Sequence, residues 1–177
     1  MPRIDYQPLD LSEPADIVNA IRERRGGELL NLDRMLLHSP TFAKGWNAFL
    51  REVRTGLELP PKLRELAMCV VAVLNGAEYE FHHHAPEFMR AGGTEQQVRA
   101  MRDPEAATGN SILFDDKERA VILLTLDMTR DVAVRDATFS AVRAALGNDQ
   151  LVVELVGVIA TYNMVSRFLV ALEIAPE

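Results

Sequence analysis

The sequence predicts an all-α protein, and three observations carry that reading. Apolar residues recur three and four positions apart in nearly every long segment, as in KGWNAFLREV and LVVELVGVIATYN. Helix punctuation separates these segments: Pro, Ser, Thr or Asp at the starts and Gly at the ends. No segment shows the strict alternation of a half-buried strand.

The elements follow in order. Ser12-Glu13-Pro14 reads as a helix start, and Gly26-Gly27 closes that segment. A second short helix covers Leu29 to Leu37. Ser39-Pro40 caps a third, in which Phe42, Trp46, Phe49 and Val53 form an apolar stripe and Gly56 marks the end. Pro60-Pro61 opens a fourth, running through RELAMCVVAVL to Asn75-Gly76; its apolar surround beyond Glu65 makes it central and buried. A fifth runs from about Ala77 to Ala91, before Gly92-Gly93. Thr94 to Gln97 fits a capping box for a short sixth helix. DPEAATGNSILF is rich in turn formers and reads as a loop. Asp115 to Glu118 is a second capping box, leading into RAVILLTLDM. Asp136 to Leu146 forms a helix stopped by Gly147, and the last helix runs from Asp149 to about Glu173. RELAMCVVAVLN and VELVGVIATYN echo each other, either through duplication or through the sameness of buried helices.

Bulk properties narrow the function. The 177 residues suit one domain with a sizeable core, and 48% hydrophobic with 25% charged residues is ordinary globular composition. A net charge of −7 argues against nucleic-acid partners, which need a basic face. No apolar run approaches the roughly 18–20 residues of a bilayer span, so no membrane partner is expected. The N-terminus MPRIDYQPLD lacks an apolar signal core, and the single cysteine, Cys69, fits a reducing cytoplasm.

The stretch NGAEYEFHHHAPE, residues 75–87, concentrates the chemistry. Glu80 and His84 stand at i and i+4 on one helix face. Three consecutive histidines fan out by about 100° each, so they cannot converge on one metal; no metal site is expected. Glu80 and His83 have the E-x-x-H spacing of di-iron bundles, but His38, the only other histidine, has no glutamate three residues before it. Glu65 precedes the apolar run CVVAVL, where an unpaired carboxylate is expensive. On one straight helix Glu65 and Glu80 would lie about 22 Å apart. A reversal at Asn75-Gly76 would instead bring Glu65 level with His84.

The run RELAMCVVAVLNGAEYEFHHHAPEFMRAGGTEQQVRAM resembles the core motif of the carboxymuconolactone decarboxylase family, which includes the alkylhydroperoxidase D branch. The resemblance implies an alkylhydroperoxidase D-like helical bundle with a central antiparallel helix hairpin. It also implies a single domain over 1–177, with an N-terminal extension (1–56), the hairpin (57–105) and C-terminal helices (106–177). Family members assemble as trimers or hexamers, so a homo-oligomer is expected. Glu65 matches a proton-relay glutamate and His84 the relay histidine. Positions 77 and 80, a C-x-x-C pair in the peroxidase branch, are here Ala77 and Glu80, and Cys69 has no partner thiol; dithiol peroxide reduction is excluded on this chain.

The expected activity is cofactor-free decarboxylation or proton transfer on a small lactone or cyclic carboxylic acid. Glu65, Glu80 and His84 are the catalytic candidates. Arg64, His82 or His83 would hold a substrate carboxylate, with nothing in the spacing to choose among them; Arg64, His83 and Tyr162 are taken as the substrate-binding set, and Asn163 as a further pocket candidate. Duller roles compete: a core or interface histidine at 84, a buried Glu65 paired to Arg64 or Arg51, solvated His82 and His83. A thiol peroxidase and a non-catalytic oligomeric binding protein are the rival functions.

Overall fold

Ten helices and no strands organise residues 1–177 of the computed structural model. They are α1 (Ala15–Arg25), α2 (Asn31–Leu36), α3 (Pro40–Thr55), α4 (Pro61–Leu74), α5 (Glu78–Arg90), α6 (Glu95–Ala100), α7 (Pro104–Gly109), α8 (Asp116–Arg130), α9 (Asp136–Leu146) and α10 (Asp149–Ala171). The expected all-α class is what the chain adopts.

By contact the chain divides into two units. One comprises Met1–Leu57 with Ala171–Glu177, the other Glu58–Val170. In the first, α3 packs against α1 and α2. Its buried face is Ala43, Trp46, Leu50 and Val53. The expected Phe42/Trp46/Phe49/Val53 stripe is therefore half wrong: Phe42 is 47% and Phe49 50% exposed. Side-chain size misled that reading, because small Ala43 takes the inner position and Phe42 only rests its edge on Trp46, 5.6 Å between ring centres. Ser39 makes no side-chain cap; Pro40, whose missing N–H is no loss at the first helical position, starts α3.

In the second unit α4 is the central rod, packed against α5 and α8, with α8 also against α7 and α9. From Leu66 to Ala72 every residue of α4 is buried. The capping boxes expected at Thr94/Gln97 and Asp115/Glu118 both form. The segment expected as a loop is not one throughout. Asp103 accepts the Ala106 N–H at 3.1 Å and Pro104 occupies the first turn, so α7 forms before the turn residues Asn110-Ser111 take over.

The C-terminal helix ends at Ala171, two residues short of expectation. Its longest uncharged run, Leu155–Ser166, has 12 residues, yet the 23-residue helix is long and apolar enough to cross a bilayer by length and composition. Its inner side supplies Leu155, Val158, Ile159, Tyr162, Val165 and Leu169 to the core.

The turn between α4 and α5 is closed by two hydrogen bonds. The Ala77 N–H donates to the Ala72 carbonyl at 2.8 Å and the Gly76 N–H to Val73 at 3.2 Å. This is the Schellman arrangement, and it needs a left-handed residue, here Gly76 at φ 65°. Asn75 fastens the turn to α10: its Nδ2 donates to Asn163 Oδ1 at 3.1 Å and to Ser166 Oγ at 2.7 Å. Asn163 Nδ2 donates in turn to Thr129 Oγ1 of α8 at 3.0 Å. The two asparagines of the internal echo thus meet.

Gly76→Ala should lower stability by about 1 kcal/mol, since a Cβ there meets no atom within 4 Å and only the backbone conformation is penalised. Gly76→Asn should cost less, because asparagine tolerates this region. Urea unfolding midpoints check the order; an Ala variant as stable as wild type contradicts it.

Candidate functional site

Reversal at Gly76 lays the first half of α5 along α4, and the polar groups of the two helices meet inside the unit. His84 Nδ1 and Glu65 Oε2 are 2.7 Å apart, the imidazole N–H donating to the carboxylate. Glu65 is 6% and His84 7% exposed, so the bond lies away from bulk water. Arg64 Nε makes a longer contact, 3.4 Å, to Glu65 Oε1. Of the two arginines weighed for Glu65, Arg64 is the neighbour; Arg51 is exposed and pairs with Glu52.

Burial raises the Glu65 pKa, but the His84 hydrogen bond and the charges of His84 and Arg64 outweigh it and hold the carboxyl below its ordinary value of 4.5. An ionised Glu65 fixes the His84 tautomer: Nδ1 carries the bonded proton and Nε2 is the nitrogen left for other work. Tyr162, fully buried on α10, meets the edge of the His84 ring at right angles, 4.9 Å between centres and 85° between planes. The imidazole is thus held on two sides, by a carboxylate and by an aromatic ring.

Glu80 lies one turn before His84 on α5 and is 2% exposed. Cys69 lies one turn after Glu65 on α4 and is fully buried. Burial drives the Cys69 thiol well above its usual range, and the charges of Glu65 and Glu80 push it further; Arg102 acts in the opposite direction. Glu65, Glu80 and Cys69 therefore share one electrostatic environment.

Of the expected residues, the hairpin brings together Glu65, His84 and Arg64, adds Tyr162 from α10, and buries Glu80 on the His84 side of α5. His83 does not join the Glu65 bond. Rotated about 100° around the helix from His84, its ring lies on Tyr79 at 4.4 Å and beside exposed His82 at 5.3 Å. Asn163 is a turn anchor.

Sequence reasoning missed two participants. Cys69 entered the sequence reading only as a single cysteine without a partner thiol, although its i+4 spacing from Glu65 places both on one face. Arg102, just beyond α6, stacks its guanidinium 3.6 Å above the Phe81 ring and bonds Glu78 Oε1 at 2.7 Å. No local pattern announced Arg102, because the contact depends on how α6 returns to α5.

Residues 40–121, from α3 into α8, match the carboxymuconolactone decarboxylase family. The match takes in the α4–α5 hairpin and spans just under half of the chain. Solved structures with the same fold include an uncharacterized peroxidase-related protein from Silicibacter sp. TM1040, with TM-score 0.81, 19% identity and coverage of 99% of this chain and 92% of that one. A peroxidase-related protein from Ralstonia eutropha JMP134, described as an alkylhydroperoxidase AhpD core, gives 0.82 at 18% identity, covering 99% and 92%. A debrominase, Bmp8, solved as a cysteine-to-alanine variant with 2,3,4-tribromopyrrole, gives 0.82 at 16% identity, covering 100% and 94%. No curated protein matches the chain in sequence. At these identities the structures establish the fold, an alkylhydroperoxidase-like helical arrangement.

A carboxyl with a lowered folded pKa adds stability above its unfolded value and loses it as pH falls through the folded one. Glu65 therefore stabilises the protein above about pH 4.5 and stops doing so in more acidic solution. Glu65→Gln should cost about 2 kcal/mol at pH 7, with the gap to wild type narrowing below pH 4. Thermal unfolding of both proteins from pH 3 to 7 reads this; a gap independent of pH contradicts it.

Proposed function

We propose that the chain is a cofactor-free carboxy-lyase of the family, acting on a small lactone or cyclic carboxylic acid by decarboxylation or the related proton transfer at carbon. The buried Glu65–His84 hydrogen bond carries this reading. It presents His84 Nε2 as a proton donor or acceptor in a water-poor site.

In the decarboxylation, the bond between ring carbon and carboxylate breaks and carbon dioxide leaves. The bonding electrons pass through the adjacent double bond into the lactone carbonyl, forming an enolate. A proton from His84 Nε2 then reaches carbon and the carbonyl re-forms. Glu65 compensates the imidazolium while Nε2 is protonated, and Glu80 returns a proton to the ring. Arg64 is the cation beside the site that suits a substrate carboxylate, and Tyr162 offers a wall against the substrate ring. His83 fits this role less well than expected, since it rests on Tyr79.

The peroxidase rival meets two obstacles in this chain. The C-x-x-C positions hold Ala77 and Glu80, and the one thiol is fully buried, its ionisation opposed first by that burial and then by the charges of Glu65 and Glu80. The debrominase and the peroxidase-related proteins show what neighbours with this fold are described as doing, and they leave the substrate class of this site open to chemistry on small cyclic compounds.

Purified protein should release carbon dioxide from unsaturated lactone acids or cyclic β-keto acids. His84→Ala should lower kcat by about a hundredfold or more, whereas Cys69→Ser should keep most of the turnover. Peroxide consumption lost on Cys69→Ser would favour the rival, and full turnover by His84→Ala would remove His84 as the proton donor.

A further inference from the structure

Apolar contacts hold α10 in place without saying how far it is turned. Its inner side, Leu155, Val158, Ile159, Val165 and Leu169 around Tyr162, is buried by an attraction that has no direction. A small rotation or slide of such a helix exchanges one apolar contact for another. The same movement would carry the Tyr162 ring off the His84 imidazole, whose centre lies 4.9 Å away. A directional interaction is needed to fix the phase of α10.

Asn163, the residue after Tyr162, supplies one. Its Nδ2 donates to Thr129 Oγ1 on α8 and to the Ile159 carbonyl one turn back, both at 3.0 Å. Its Oδ1 accepts from Asn75 Nδ2 at 3.1 Å and from Arg167 Nη1 at 2.6 Å. These four bonds use the two donors and two lone pairs that an amide side chain carries. Ser166, fully buried, accepts the second Asn75 proton at 2.7 Å and donates to the Asn163 carbonyl at 3.3 Å. An amide satisfied in this way holds one arrangement, because any shift of the helix breaks several bonds at once.

We infer that Asn163 is a positioning residue: it sets the rotation of α10, and with it the seat of the Tyr162 ring on His84. None of its four side-chain bonds goes to Glu65, Glu80 or His84. It acts on the imidazole only through the placement of its neighbour. The two supports of the ring, Glu65 across the hairpin and Tyr162 on α10, are thereby tied to one junction, since Asn75 closes the hairpin turn and bonds Asn163. The service to catalysis rests on reading the site as a proton-transfer centre, whereas the seating of Tyr162 does not.

The His84 ring-proton shifts report that seating, because the Tyr162 ring current displaces them; Tyr162→Leu gives the value without the ring. Asn163→Leu removes all four bonds at similar volume. Thr129→Val removes one acceptor at nearly constant shape and covers the case in which Asn163→Leu does not fold. In the folded variants, checked by circular dichroism, the His84 shifts should move towards the Tyr162→Leu value, further in Asn163→Leu than in Thr129→Val. Thr129→Ser, which keeps the hydroxyl, should hold the wild-type shifts. On an acid that wild type turns over, Asn163→Leu should lower kcat about tenfold with KM changed less than about twofold. Wild-type His84 shifts in folded Asn163→Leu or Thr129→Val overturn the inference, even where the unfolding midpoint falls, and so does unchanged kcat once the shifts have moved. Moved shifts in a protein that decarboxylates no acid would refute the proposed chemistry and uphold the seating of Tyr162 by Asn163.

Discussion

A carboxylate and an imidazole nineteen positions apart can be buried together only if the backbone between them reverses, and the Glu65–His84 hydrogen bond records that reversal. Separately, either group would be costly inside an apolar unit. Joined at 2.7 Å, with Arg64 nearby, they are accommodated. The hairpin in turn depends on a left-handed glycine and on Asn75 bonded into α10. Turn, helix pair and polar contact therefore form one cooperative feature.

The same neighbourhood assigns different fates to its titratable groups. Glu65 is kept ionised by its partners, and Cys69 is kept protonated first by burial and then by the charges of Glu65 and Glu80. A site built this way favours proton movement over thiolate chemistry. Ala77 and Glu80 stand where the resemblance drawn from the sequence implies a cysteine pair in the peroxidase branch.

Much of this was legible beforehand, and the reasons differ by residue. The hairpin could be read because an apolar helix, an Asn-Gly stop and a second polar helix leave one sensible topology. Glu65, Glu80 and His84 could be read because buried charge needs partners and helical spacing supplies them. Phe42 and Phe49 misled because hydrophobicity does not say which of two apolar faces is inner. The short α7 was hidden because a single Asp-Pro start decided it inside a turn-rich segment. His83 and His84 have the same composition and neighbours, and only the phase of α5 separates their roles. Arg102 was beyond sequence reading, since its stacking on Phe81 is purely tertiary.

The last helix joins these themes: its inner side holds Tyr162 against His84 and Asn163 against the turn. The central claim, that a buried Glu65 carboxylate holds the His84 Nδ1 proton, is open to direct measurement by nitrogen-15 NMR of the histidine side chains. The account predicts that at neutral pH His84 shows a protonated Nδ1 with a strongly downfield, slowly exchanging proton, and that Glu65→Gln shifts that resonance. A His84 ring with the averaged nitrogen shifts and fast proton exchange of an imidazole in water, unaffected by Glu65→Gln, would contradict it.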